Sequence, residues 1–95
     1  MSEYRQIPTT PEVWAVIRAS HPKMQVFSSY SDPGGRAFGG SGETGRMETA
    51  YGFEGQDFPT LAARTTWEID PKQPYTRINE THEYWLCVGR QESDT

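Results

Sequence analysis

The chain has 95 residues, a formal net charge of −4 and a sequence pI near 5.0. This length predicts a single domain over residues 1–95. The acidic balance, with only two lysines, disfavours direct binding to a nucleic-acid backbone. A lone cysteine excludes an internal disulfide, and no stretch approaches the roughly 18 apolar residues of a membrane span. We therefore expect a cytoplasmic protein that makes no membrane contact.

The first predicted element is a helix of about ten residues that begins at Pro11. Thr10 is a suitable N-cap, proline is favoured at the first helical position, and Glu12 complements the positive end of the helix dipole. The apolar residues of the following VWAVI form one stripe, and His21-Pro22 ends the helix. Residues 1–8, which precede the helix, are expected to be flexible, as are residues 90–95 at the other end.

Three segments then show the alternation typical of strands, namely KMQVFSSY (23–30), METAYGFE (47–54) and LAARTTWEI (61–69). The third pattern is the clearest, because apolar and polar residues occupy opposite faces. The segment 79–91 fits either a strand or a helix, and its aromatic and β-branched content favours the strand. The pattern predicts an α+β fold in which one N-terminal helix packs on a four-stranded, mostly antiparallel sheet.

The segment between the first two of these strands, residues 31–46, contains six glycines and is predicted to be a loop. From Gly40 it approximates the phosphate-binding pattern G-x-x-x-x-G-K-[ST], with Arg46 and Met47 at the lysine and hydroxyl positions. A phosphate loop must open a helix, whereas METAYGFE alternates as a strand does. We therefore interpret the segment as a connecting loop. Its side chains are candidates for a partner-binding surface: Arg36, Phe38, Glu43 and Arg46.

No metal or cofactor site is predicted. Glu80 and His82 would lie on the same side of a strand, but the sequence offers no third ligand at suitable spacing. Cys87 lies in the apolar run YWLCV, where a free thiol behaves as a small buried hydrophobe.

One catalytic alternative remains open. Glu48 or Glu68 would act as a base, Arg64 would bind a phosphate and His82 would act as an acid. The order of a helix followed by an antiparallel sheet resembles that of the small secreted microbial guanyl-type ribonucleases. This resemblance is one of order only, and it implies a phosphodiesterase that works on the open face of the sheet.

The aromatic content points instead to an interface. Tyr75 and Trp85 lie near a predicted strand end, and tyrosine, tryptophan and arginine are the residues that most often anchor protein interfaces. By elimination, the sequence predicts a small non-enzymatic protein that docks on another protein. Its general character is that of phage or mobile-element proteins that modulate a host protein. An exposed edge strand would also allow a homodimer.

Overall fold

The structure is a computed structural model that describes residues 4–35 and 42–89. Its elements are β1 (Tyr4–Pro8), α1 (Pro11–Ser20), β2 (Gln25–Asp32), β3 (Thr44–Gly52), β4 (Leu61–Asp70) and β5 (Gln73–Gly89). The five strands form one antiparallel sheet in the order β1-β5-β4-β3-β2. The α+β class is therefore confirmed, while the predicted number of four strands is wrong.

The strand that the sequence pattern did not reveal is β1. It lies inside the segment 1–8 that we expected to be flexible, and it pairs with the end of β5, with Tyr4 opposite Gly89 and Pro8 opposite Trp85. All five of its residues are exposed. Such a strand is held by main-chain pairing with a distant segment, and five residues that end in proline carry little periodic signal. Residues 1–3 and 90–95 lie outside the described ranges.

The helix begins and ends where its capping signals predict. The Thr10 hydroxyl accepts a hydrogen bond from the amide of Val13 at 3.1 Å, and Pro11 occupies the first helical position. At the other end, the amide of His21 donates to the carbonyl of Arg18 at 3.3 Å. These interactions are local in sequence, which is why the pattern of residues 10–22 predicts them.

Trp14 joins the helix to the sheet. Its indole Nε1 donates to the main-chain carbonyl of Ala62 at 3.0 Å, and its ring meets the rings of Tyr51 and Tyr84 edge-on. No residue of α1 is fully buried. The helix rests on the sheet through the half-buried side chains of Trp14, Ile17 and Arg18, and the guanidinium carbon of Arg18 lies 4.6 Å from the ring centroid of Tyr51.

The bounds of the remaining strands differ from those that their sequence patterns indicate. β2 continues to Asp32 and β3 begins at Thr44, so the connecting segment spans residues 33–43 rather than 31–46. Its central part, 36–41, lies outside the described residues. The element after the connecting segment is the strand β3, whereas a phosphate loop would be followed by a helix. The ambiguous C-terminal segment is also a strand, which begins at Gln73.

Strand register divides the sheet into two faces. Tyr51, Leu61 and Leu86 lie opposite one another on three neighbouring strands, on the side that α1 covers. We call this side the helix face. Their sequence neighbours Ala50, Ala62 and Trp85 also lie in line and point to the other side, which we call the open face. Buried hydrophobic residues belong to both faces: Met24, Ala50, Leu61, Ala62, Trp67 and Cys87. Among the described residues, no helix has the length and apolar character needed to cross a bilayer.

Candidate binding site on the open face

The open face carries a depression of about 290 Å³. Its floor includes Ala50 and Ala62, which lie opposite each other on β3 and β4 and are both buried. Because the side chain of alanine is only a methyl group, this pair leaves room above the sheet. Aromatic residues from the surrounding strands complete the lining: Tyr4, Phe27, Tyr30 and Trp85. The result is a shallow concavity with an alanine floor, in which these rings alternate with polar side chains such as Gln6, Ser28 and Glu48.

A β-bulge contributes one wall. The pairing of β2 with β3 shifts between Val26 and Ser28, so that Phe27 is the extra residue. Bulges redirect side chains and increase the local twist of a strand. Phe27 lines the depression together with Ser28, which pairs with Ala50 on β3. On the opposite side of the site, Tyr4 of β1 stacks on Phe58, with ring centroids 5.4 Å apart.

Arg64 forms the polar end of the depression. Its Nε donates to Oε2 of Glu48 at 2.8 Å, and one terminal nitrogen lies 3.7 Å from Oε1 of Glu83. The guanidinium carbon also lies 5.2 Å from the ring centroid of Trp85. Arg64 is thus held by two carboxylates and one aromatic ring, which fixes its position at the edge of the site.

A second arginine extends this polar edge. The guanidinium carbon of Arg46 lies 5.1 Å from the ring centroid of Tyr30, and its Nε lies 3.8 Å from Oε2 of Glu48. Together with Arg64 and Glu83, these residues form a network of two cations and two anions. The network is electrically balanced, so it attracts neither a polyanion nor a polycation strongly.

The residues of the catalytic alternative do not meet on one face. Glu48 and Arg64 are in contact on the open face, but His82 lies on the helix face, where its Nδ1 is 3.0 Å from the hydroxyl of Thr65. Glu68 accepts from the Asn79 side-chain amide farther along β4, at 3.1 Å. In addition, two carboxylates already surround the Arg64 guanidinium, and they would repel a phosphate. The described geometry therefore gives a base and a cation without an acid.

Glu80 and His82 lie on the same side of β5, as the sequence pattern indicates. Nε2 of His82 lies 3.7 Å from Oε2 of Glu80, as expected for residues two apart on one strand. Within residues 4–35 and 42–89, no group of three or more His, Cys, Asp or Glu side chains is arranged to hold a metal ion.

The predicted interface residues are only partly brought together. Arg46 and Trp85 both lie on the open face, whereas Arg36 and Phe38 fall outside the described residues. Glu43 is exposed, and its main-chain carbonyl accepts from the amide of Ile69 at 2.8 Å. Tyr75 is 74% exposed and precedes Trp85 by ten positions on β5, which is about 33 Å in an extended strand. Tyr75 therefore does not belong to the depression.

The sequence pattern alone did not indicate the residues that shape the depression: Tyr4, Phe27, Tyr30, Ala50 and Ala62. One signal for two of them was present. Ala50 and Ala62 are the smallest side chains with a Cβ, and each stands on the face of its strand that also carries charged residues. Small residues in the middle of two strands leave space, but only the register shows that they lie opposite each other.

Cys87 belongs to the buried cluster next to the floor rather than to a reactive site. It is buried in a cluster with Ala50 and Ala62, against which Trp85 packs. This burial raises the pKa of the Cys87 thiol above its ordinary value of 9.0. Since the thiolate is the nucleophilic form, a raised pKa makes the group unreactive near neutral pH.

No protein-family model matches the sequence, and neither the curated proteins nor the solved structures contain a match. A functional interpretation therefore depends on the geometry of the open face.

Proposed function

We propose that this chain is a non-enzymatic binding protein that docks on another protein through the open face of its sheet. The observation that carries the proposal is the depression of about 290 Å³, with its alanine floor and aromatic walls. Clefts that hold small molecules or cofactors usually measure about 300–1,000 Å³. The depression lies at the lower end of this range and is open to solvent, which suits one anchoring side chain of a protein partner, in the way that interface hot spots fill pockets.

The chemistry around the depression fits this kind of partner. The walls are aromatic, and protein interfaces are enriched in such residues at their centre. The network of Arg46, Glu48, Arg64 and Glu83 borders the apolar part and supplies a polar rim of both signs. We infer that the partner inserts a large apolar or aromatic side chain above Ala50 and Ala62. The buried thiol of Cys87 suits a reducing compartment, and the cytoplasm is the proposed location.

Site-specific photo-crosslinking identifies the partner and tests which face it contacts. Gln6 and Arg5 are neighbours on β1 that point to opposite faces, and Gln6 lines the depression. A photoreactive amino acid at position 6, introduced in the native host, should crosslink a protein that position 5 does not capture. Equal capture from both positions would contradict docking through the open face.

A substitution in the floor then tests the depression itself. Ala62→Leu places a larger side chain where the partner is proposed to insert, so the affinity for the crosslinked partner should fall at least about tenfold. Ala19→Leu, at an exposed position on the helix, is the matched control and should leave the affinity unchanged. Thermal unfolding of both variants separates a filled site from a misfolded one. A folded Ala62→Leu protein with normal affinity would refute the proposal.

The catalytic alternative has weaker support, because His82 and Arg64 lie on opposite faces. We expect micromolar protein to leave RNA uncleaved in a gel assay. Cleavage that is lost on Arg64→Ala and on His82→Ala, with both variants still folded, would favour the alternative over the binding protein.

A further inference from the structure

We propose that β2 pairs with the β2 strand of a second copy of this chain, antiparallel and with Tyr30 opposite Tyr30 of the second copy. The starting observation is the position of β2 at the edge of the sheet. Within the described residues, β3 is its neighbour on one side and no strand lies on the other. Seven of its eight residues are exposed, from Gln25 to Ser31. Half of the main-chain groups of such an edge point outward and are able to pair with another strand.

The two edges of the sheet differ in how they are protected. Edge strands that avoid pairing are commonly short or carry charged residues and proline. β1 has these features, since it spans five residues and contains Arg5 and Pro8. β2 spans eight residues, QVFSSYSD, and Asp32 at its end is its one charged residue. Its bulge between Val26 and Ser28 interrupts only the first part of the strand. The segment Ser28–Asp32 is regular and open to pairing.

Symmetry restricts the register of two identical strands. We consider an antiparallel pair around a two-fold axis perpendicular to the sheet. Residues that lie directly opposite each other have their side chains on the same face, whereas neighbouring residues of one strand point to opposite faces. A residue therefore cannot lie opposite the copy of its neighbour, and the residue at the centre of the pair must lie opposite its own copy. The regular segment has five residues, and its middle is Tyr30. Centring the pair there uses the whole segment without involving the bulge. A centre at Ser29 would require the bulged Phe27 to pair, and a centre at Ser31 would require Pro33.

The residues that this register brings together are compatible. Ser28 lies opposite Asp32 of the second copy, so that a hydroxyl can donate to a carboxylate, and Ser29 lies opposite Ser31. The two Tyr30 rings form a cross-strand aromatic pair on the open face, on the same side as Arg46. No two like charges lie directly opposite each other. The strand is therefore complementary to itself.

This pairing would join two sheets into one of ten strands. Because Tyr30 lines the depression, the sites of the two copies would meet at the seam and form one longer surface. Five residues from each copy bury far less than the roughly 1,200–2,000 Å² of a stable interface. The dimer is therefore a weak one that forms at high protein concentration. It depends on β2 alone and does not rest on the proposed docking function.

Charge substitutions at Ser28 test the pairing and its register by sedimentation equilibrium. Ser28→Lys faces Asp32 of the second copy at two symmetric positions, and Ser28→Asp creates like-charge pairs at the same positions. We expect the lysine variant to dimerise about tenfold more tightly than the aspartate variant at low salt, with the difference reduced at high salt. The matched control uses Ser29→Lys and Ser29→Asp, which face a serine. These two should agree within about twofold.

Disulfide trapping gives a second measurement at the centre of the pair. Single cysteines are placed in turn at each position from 28 to 32, and the wild-type protein reports the background from the buried Cys87. At position 30 the two Cα atoms would lie about 4.5–5.5 Å apart, within the range that a disulfide spans. At positions 29 and 31 they would be about 8 Å apart, which is too far.

Rapid crosslinking at position 30 alone, together with the predicted order of the Ser28 variants, would support the proposal. A monomer at millimolar concentration, a maximum at another position, or crosslinking no faster than that of an exposed helix control, Ser20→Cys, would overturn it.

Discussion

The indole nitrogen of Trp14 donates a hydrogen bond to the main-chain carbonyl of Ala62, 3.0 Å away. This bond reaches the central strand from the helix face, while the side chain of Ala62 forms the floor of the depression on the open face. The helix therefore supports the strand directly beneath the proposed docking site. Trp14 contributes to this attachment together with Arg18, whose guanidinium carbon lies 4.6 Å from the ring centroid of Tyr51.

Substitutions of Trp14 should separate the hydrogen bond from the packing. Trp14→Phe keeps an aromatic ring near Tyr51 and Tyr84 but loses the donor, so it should lower the free energy of unfolding by about 1 kcal/mol. Trp14→Ala also loses the packing of the ring and should cost about 3 kcal/mol. Urea unfolding measures both. Val16→Ala is the control, because Val16 is 64% exposed and its loss should change stability by less than about 0.5 kcal/mol. Equal effects of Trp14→Ala and Val16→Ala would show that the helix is not anchored in this way.

Gly45 and Trp67 provide a second stability prediction. A Cβ at Gly45 would overlap the indole of Trp67, which lies directly across from it in the register. The indole has little freedom to move, because its Nε1 donates to the carbonyl of Pro33 at 3.2 Å and the Arg77 guanidinium lies 3.9 Å from the ring centroid. Gly45→Ala should therefore destabilise the fold by about 1–3 kcal/mol, as overpacking does.

The steric origin of this effect is open to a double-mutant test. In a Trp67→Leu background the overlapping ring is absent, so the same Gly45→Ala substitution should cost markedly less. Chemical unfolding of the four proteins gives the comparison. If the two substitutions were additive, the close contact between Gly45 and Trp67 would not be the cause.

The parts of the fold that depend on neighbouring residues were predictable from the sequence. The helix follows from Thr10, Pro11 and the His21-Pro22 pair, all of which act within one or two turns. β1 was missed because its partner residues are 77 to 85 positions away and its own five residues contain little pattern. A short strand of this kind is defined by main-chain hydrogen bonds, which leave no signature in side-chain periodicity.

The candidate site also depends on the pairing of distant strands, which the local sequence pattern does not determine. Alternation within β4 places Arg64 and Thr65 on opposite faces, and alternation within β5 does the same for His82 and Glu83. It does not say which of the two faces of β4 coincides with which face of β5. A shift of one residue would have brought His82 beside Arg64, whereas the observed register brings Glu83 there. The alanine floor depended on register in the same way.

The burial of Cys87 predicts slow thiol chemistry. A disulfide reagent at pH 8 should modify the native protein much more slowly than the urea-unfolded protein, because burial raises the thiol pKa and restricts access. Absorbance of the released thiolate measures the rate. Equal rates in the two states would mean that the buried cluster of Ala50, Ala62 and Cys87 opens readily.

The same shift predicts a change of stability with pH. The thiol of Cys87 releases its proton at a lower pH in the unfolded protein than in the folded one. The contribution of this group to the free energy of unfolding is therefore fully present below the unfolded pKa and is lost as pH rises through the folded pKa. Stability should therefore fall more steeply above about pH 9 in the wild type than in a Cys87→Ala variant. Unfolding curves between pH 7 and 10.5 make the comparison, and parallel slopes would contradict it.

The ion pair between Arg64 and Glu48 should be weakly stabilising despite its short distance of 2.8 Å. The Arg64 side chain is 37% exposed and the Glu48 side chain 35%, so water screens the charges and holding both side chains costs conformational entropy. A double-mutant cycle with Arg64→Gln and Glu48→Gln should give a coupling of about 0.5–1 kcal/mol that falls sharply in 1 M salt. The pair of Arg64 with Glu83, at 3.7 Å, is the internal control and should couple less. A coupling above about 2 kcal/mol that persists in high salt would indicate a desolvated pair. Such a result would mean that the polar rim is built into the sheet more tightly than a solvent-facing docking surface requires.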